Sequence, residues 1–134
     1  MRRIQVLVLF FAFFIVSRIA NADVVLRPCT TTQDIINAVT DGNSSHYLFF
    51  YDPLDVNSLK VYNTLSALKT KRTFIIDALD AREPQSSWMR SSFEVFYVPM
   101  LCYVKWMSNG KRMLDRHLSM EFGSASLAQF LQRH

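Results

Sequence analysis

His46-Tyr47-Leu48-Phe49-Phe50-Tyr51-Asp52-Pro53-Leu54 is the stretch that decides how this chain folds. The run from His46 to Tyr51 is almost continuously apolar. It lacks the alternation of a half-exposed strand and predicts a strand covered on both faces. Pro53 interrupts it, because proline has no N–H to extend a ladder. Just beyond, Asp55, Asn57 or Ser58 can cap a helix. Leu59, Tyr62, Leu65 and Leu68 then share one face of a helix expected from about Val56 to Leu68.

Working outward, Val24 to Arg27 predicts a short strand. Thr30-Thr31-Thr32 with Asp34 offers a capping-box-like start for a helix carrying Ile35, Ile36 and Val39 on one face, ended by Asp41-Gly42. Thr73-Phe74-Ile75-Ile76 predicts a second buried strand. A polar stretch with Pro84 follows, then a short helix around Ser86 to Ser91. Met100 to Trp106 and Arg112 to Leu118 predict two strands joined through Asn109-Gly110, a strong hairpin signal. Leu127, Phe130 and Leu131 mark a closing helix after Gly123. Strand–helix alternation implies parallel strands with crossover helices, and the hairpin adds antiparallel ones. The expectation is an α/β fold whose mixed sheet has helices on both faces.

The totals need partitioning before they are interpreted. The chain has 134 residues, 15 Lys/Arg against 11 Asp/Glu, and 50% hydrophobic residues. That is too apolar for a disordered tail. Residues 1–22 form a pattern of their own: Arg2 and Arg3, an unbroken apolar run from Val6 to Val16, then Ala20-Asn21-Ala22. This is the pattern of a signal peptide cleaved before Asp23. The alternative, a membrane anchor, needs about 20 apolar residues, and Arg18 closes the run sooner. Removing these 22 of 134 residues takes three arginines and no acids, leaving a domain of residues 23–134 with 12 Lys/Arg against 11 acids, a net of +1. The expected location is the endoplasmic reticulum lumen or the exterior, with no membrane association after cleavage. Leu131-Gln132-Arg133-His134 is not a Lys-Asp-Glu-Leu retrieval signal, which favours secretion over retention. Asn43-Ser44-Ser45 is a glycosylation sequon, used or unused, in an expected surface loop.

The element order, with certain residues, resembles the thioredoxin fold, and in particular the domains of the protein disulfide isomerase family. Phe50-Tyr51-Asp52-Pro53-Leu54 resembles the strand end and turn leading into that family's Cys-x-x-Cys. Phe93-Glu94-Val95-Phe96-Tyr97-Val98-Pro99-Met100-Leu101 resembles its cis-proline segment, and Asn109-Gly110-Lys111 its last β-turn. The resemblance covers nearly all of residues 23–134. It implies a cis Val98–Pro99 bond, where the residues alone would suggest an ordinary trans proline starting a strand.

The resemblance also shows what is missing. Aligned through Pro53, the Cys-x-x-Cys positions are Asp55-Val56-Asn57-Ser58. A thiol oxidoreductase needs a low-pKa thiolate and a second, resolving thiol. Asp55 cannot attack a disulfide usefully and suits a helix cap. Ser58 stays protonated, with no evident base. The family's buried acid corresponds to Phe49, and its usual Trp to Leu54. The simplest reading is a redox-inactive domain without catalytic residues.

Cys29 and Cys102 remain. In the family's sheet order their strands lie about three spacings apart, roughly 14 Å, whereas a disulfide tolerates a Cα separation of about 7 Å. They are not expected to pair. Cys102 suits a small buried hydrophobe. Cys29 is either nearer the surface, where it can pair with another thiol, or buried and inert.

Leu54, Phe96, Tyr97, Val98 and Pro99 fall where the family's substrate peptides lie. Aromatics there suggest an apolar patch for an extended polypeptide or a partner protein. The alternative is that Phe96 and Tyr97 pack under residues 80–92. No metal or other cofactor is implied: His46, His117 and His134 are scattered, and with three glycines the chain has no phosphate-cradling loop. Lys69-Lys71-Arg72 reads as a solvated helix end rather than a nucleic-acid or heparin site. Two functions stand: a redox-inactive secretory-pathway binding protein, or a divergent thiol oxidoreductase or isomerase using Cys29 or Cys102.

Overall fold

The computed structural model describes residues 24–40, 45–118 and 122–134. The proposed leader, residues 1–22, and the sequon residue Asn43 lie outside them. Along the chain run β1 (Val24–Cys29), α1 (Thr32–Thr40), β2 (Ser45–Tyr51), α2 (Val56–Ser66), β3 (Phe74–Asp80), α3 (Pro84–Ser92), β4 (Met100–Trp106), β5 (Arg112–Arg116) and α4 (Ser124–Gln132). The strands form one sheet in the order β1-β3-β2-β4-β5. β1, β3 and β2 are parallel, and β4 and β5 are antiparallel. This is the mixed α/β sheet expected from the element order.

β2 lies between β3 and β4, and successive side chains point to opposite faces. Phe49 joins a core with Val61 and Leu65 of α2 and Leu127, Phe130 and Leu131 of α4. Leu48 and Phe50 join a second core with Met89 of α3, Met100 and Cys102. Leu48, Phe49 and Phe50 are all 0% exposed, as an uninterrupted apolar run requires. α2 packs against α4, and α1 against α3, so helices cover both faces.

Element ends differ from expectation for identifiable reasons. β3 continues to Asp80 rather than ending at Ile76, because Asp77, 5% exposed, is held by Arg27 of β1 through Nε–Oδ1 at 2.9 Å and Nη2–Oδ2 at 3.1 Å. A polar residue that ends a strand pattern in sequence is neutralised here by a neighbouring strand. β1 runs through Pro28 to Cys29, which an edge strand tolerates. β5 ends at Arg116 and α2 at Ser66, each two residues short of the expected end. The buried face of α2 is also rotated from the expected one. Ser58, Val61 and Leu65 are buried, whereas Leu59 is 40% exposed. The local cap sets this rotation by turning Ser58 inward.

Leu65 is fully buried between sheet and helices. Leu65→Ala is expected to lower unfolding free energy by about 2–5 kcal/mol, measured by denaturant titration with an unchanged m-value.

Candidate functional site

Two segments meet at the ends of β2 and β4. The first is the turn from β2 into α2. Asp52 Oδ1 accepts the Leu54 N–H at 2.9 Å, and the Asp52 carbonyl accepts the Asp55 N–H at 3.0 Å. Asp55 is the N-cap of α2, its Oδ2 accepting the Ser58 N–H at 2.9 Å. Ser58, 0% exposed, turns its hydroxyl back to accept the Asp52 N–H at 3.2 Å. The two side chains at the resemblance's cysteine positions therefore form a closed cap. Asp55 satisfies an amide that otherwise has no partner at a helix start, and Ser58 satisfies the Asp52 amide of the preceding turn. Phe49, at the position of the family acid, lies inside the core, its ring stacked on Tyr51 with centroids 5.6 Å apart.

The second segment is the loop from α3 to β4. Phe93 and Val95 are buried, whereas Phe96 is 78% and Tyr97 45% exposed. The aromatic pair therefore does not pack under residues 80–92; Phe93 and Val95 do the packing. Two arginines of β5 hold this loop. Arg112 donates to the Ser92 carbonyl and lies over the Phe93 ring at 4.8 Å, and Arg116 Nη1 donates to the Glu94 carbonyl at 2.7 Å. Glu94 has φ 56°, a left-handed conformation that non-glycine residues rarely adopt. The Val98–Pro99 peptide bond is cis.

Phe50 pairs with Met100 across β2 and β4, which brings Pro99 beside the start of α2. Between the segments lies an open groove of about 870 Å³, lined by Asp55, Asn57, Lys60, Val61, Thr64, Tyr97, Val98, Pro99 and Phe122. Of the residues anticipated from sequence, Asp55, Tyr97, Val98 and Pro99 meet there. Leu54, 76% exposed, and Phe96 are on the surface and do not line it. Sequence reasoning missed the α2 residues Asn57, Lys60, Val61 and Thr64. Helical periodicity from Asp55 was a usable signal for them. It also missed Phe122, which arrives from the far end of the chain with no local signal.

Neither thiol lines the groove. Cys29 is the last residue of β1 and 4% exposed, so the surface-lying alternative is corrected. Its Sγ faces the Arg27 carbonyl at 3.7 Å and Asp77 Oδ1 at 3.8 Å. Burial, followed by the nearby Asp77 charge, pushes its pKa up to about 12. Cys102 is 0% exposed, and burial likewise pushes it up to about 12. Both are free thiols, with β3 and β2 between their strands.

The histidines are dispersed. His117 Nε2 lies 2.8 Å from Ser126 Oγ, and His134 Nε2 2.6 Å from Asp115 Oδ2. Among the described residues no group of three or more His, Cys, Asp or Glu is placed to hold a metal ion, and no helix is long and apolar enough to cross a membrane.

Two outcomes follow. Asp55→Ala is expected to cost about 1 kcal/mol of stability through the lost cap, measured by thermal and denaturant unfolding. At pH 8 both thiols, raised to about 12, hold almost no thiolate. The native protein should therefore react with an aromatic disulfide reagent far more slowly than the unfolded chain, which should titrate two thiols. Rapid native labelling of either cysteine would contradict this burial.

No protein-family model matches the sequence, and no curated protein is significantly similar to it. Solved structures do match. The Trx4 domain of ERdj5 superposes with a TM-score of 0.58 at 13% identity, covering 84% of this chain and 95% of that one. Full-length ERdj5 gives 0.59 at 14% identity over 84% of this chain, which spans only 16% of that protein. A thioredoxin of Plasmodium falciparum gives 0.53 at 14% identity, covering 83% of this chain and 88% of that one. With its sheet order, helices on both faces and cis-proline loop beside the start of α2, the chain has a thioredoxin-like fold.

Proposed function

We propose that this chain is a redox-inactive, secretory-pathway protein of thioredoxin-like fold that binds an extended polypeptide or partner protein across the groove between α2 and the cis-proline loop. The observation that carries this reading is the pairing of an open groove walled by Val61, Tyr97, Val98 and Pro99 with a helix start closed by Asp55 and Ser58. The exposure of Leu54 and Phe96 beside it supports binding, since adjacent exposed apolar side chains mark interaction sites. An extended segment can gain backbone pairing and aromatic contact in such a groove. The burial and raised pKa of Cys29 and Cys102 favour this reading over a thiol enzyme. The leader-like pattern of residues 1–22 supports the compartment.

The purified protein is tested for insulin reduction and for refolding of scrambled ribonuclease, beside a C29S/C102S variant. No turnover by either is expected, and turnover lost in the variant would establish the thiol enzyme instead. Binding is tested with a reduced, alkylated unfolded protein as ligand. Phe96→Ala with Tyr97→Ala should weaken capture at least about tenfold, the effect of truncating two anchoring aromatics. Undiminished affinity would remove the groove as the binding site.

A further inference from the structure

We propose that the end of the sheet opposite the groove binds a sulfated polysaccharide. The β2–β4 register places Phe50 and Met100 at the groove end, and Ser45 and Lys105 at the other. Lys69, Lys71 and Arg72, which in sequence read only as a solvated helix end, precede the start of β3 at Phe74 at this same far end, where the fold adds Lys111 of the β4–β5 turn to Lys105. All five cations are exposed, and none has a carboxylate partner among the ion pairs of the described residues. The neighbouring carboxylate on β5, Asp115, is taken by Arg133 and His134. Lys105 alternates onto the face of Leu101 and Tyr103, the face that also carries Phe74. On that face Lys71, Arg72, Phe74 and Gln132 line a shallow concavity of about 330 Å³. Positive charge is thus concentrated at one end of a domain whose residues 23–134 are nearly neutral in sum.

The chemistry of this end selects the ligand class. Most of the cations are lysines, point charges that need no planar bidentate partner. They are spread over the end of the fold rather than gathered in a pocket, which suits a chain of repeated, permanently ionised groups. A nucleic acid would need stacking platforms. The Phe74 ring is covered by the Arg72 guanidinium at 4.2 Å, and Trp106 alternates onto the opposite face of the sheet. A lipid surface would need a continuous apolar fringe to insert; of the exposed apolar side chains at this end, Met113 shares the face of Lys105 while Trp106 alternates onto the other face, so they form no single fringe. The leader-like segment would deliver the chain to the compartment in which sulfated polysaccharides occur.

The test is fluorescence anisotropy of the purified protein with a labelled heparin-type oligosaccharide at about 0.15 M salt, where distant surface charges are largely screened. Saturable binding is expected. Lys105→Gln with Lys111→Gln should weaken it at least about fivefold and reduce the slope of log affinity against log salt by roughly 2, in proportion to the charges removed. Arg82→Gln, at the groove end, should change it less than about twofold, and unchanged melting curves would confirm that each variant folds. The proposal is overturned if no saturable binding is seen, or if Arg82→Gln costs as much as the double variant. It is equally overturned if a desulfated oligosaccharide, poly-glutamate, single-stranded RNA or phosphatidylserine vesicles bind as tightly as the sulfated ligand.

Discussion

Complete burial of β2 on both faces is the constraint on which the rest of the structure depends. Leu48 and Phe50 require a core on one side and Phe49 a core on the other, so the strand must be central and helices must cover both faces. Each such side chain contributes roughly 1.5–3 kcal/mol when removed from water. A central β2 then needs two neighbours. The parallel one, β3, is reached by the crossover through α2, and the antiparallel one, β4, is reached after α3. The groove follows from that choice. Where β2 ends, α2 begins, and where β4 begins, the cis-proline loop ends, so the two segments are brought side by side.

The turn after β2 shows how a site can keep its architecture while its chemistry is absent. Asp55 and Ser58 exchange hydrogen bonds with the first turn of α2 and with the Asp52 amide. In the arrangement the resemblance implies, a helix start lends its partial positive charge to a thiolate. Here the same positive end is taken by the Asp55 carboxylate, a stable cap with no nucleophilic role. The opposite wall is held from behind by Arg112 and Arg116 of β5, which fix the backbone at Ser92 and Glu94. The exposed aromatics therefore project from a braced loop, and bracing lowers the ordering cost of binding a ligand.

Burial, rather than remoteness, silences the thiols, which belong to the same core that the groove residue Val98 packs against. Cys102 fills core space between Leu48 and the α3 side of the sheet, while Cys29 faces the carboxylate of Asp77. A low-dielectric setting and a neighbouring negative charge both disfavour a thiolate. The same pair of strands resolves Asp77 itself, whose charge is matched by Arg27 across fifty residues of sequence.

The sequence by itself determined the order of elements, the burial of β2 on both faces, the hairpin at Asn109-Gly110 and the lack of cysteines around Pro53. Each of these is written in residue identity or in short-range periodicity, which local backbone physics reads directly. Only the tertiary structure decided that β3 runs on through Asp77, and that Phe96 and Tyr97 stand in solvent. It alone brought Phe122 to the groove and placed Lys105 and Lys111 at the same end as Lys69, Lys71 and Arg72. These outcomes depend on partners far away along the chain: an arginine on another strand, the segment leading into a distant helix, a strand ending beside a loop. Composition and spacing do not carry that information, because proximity in the fold is set by how the sheet closes around its central strand.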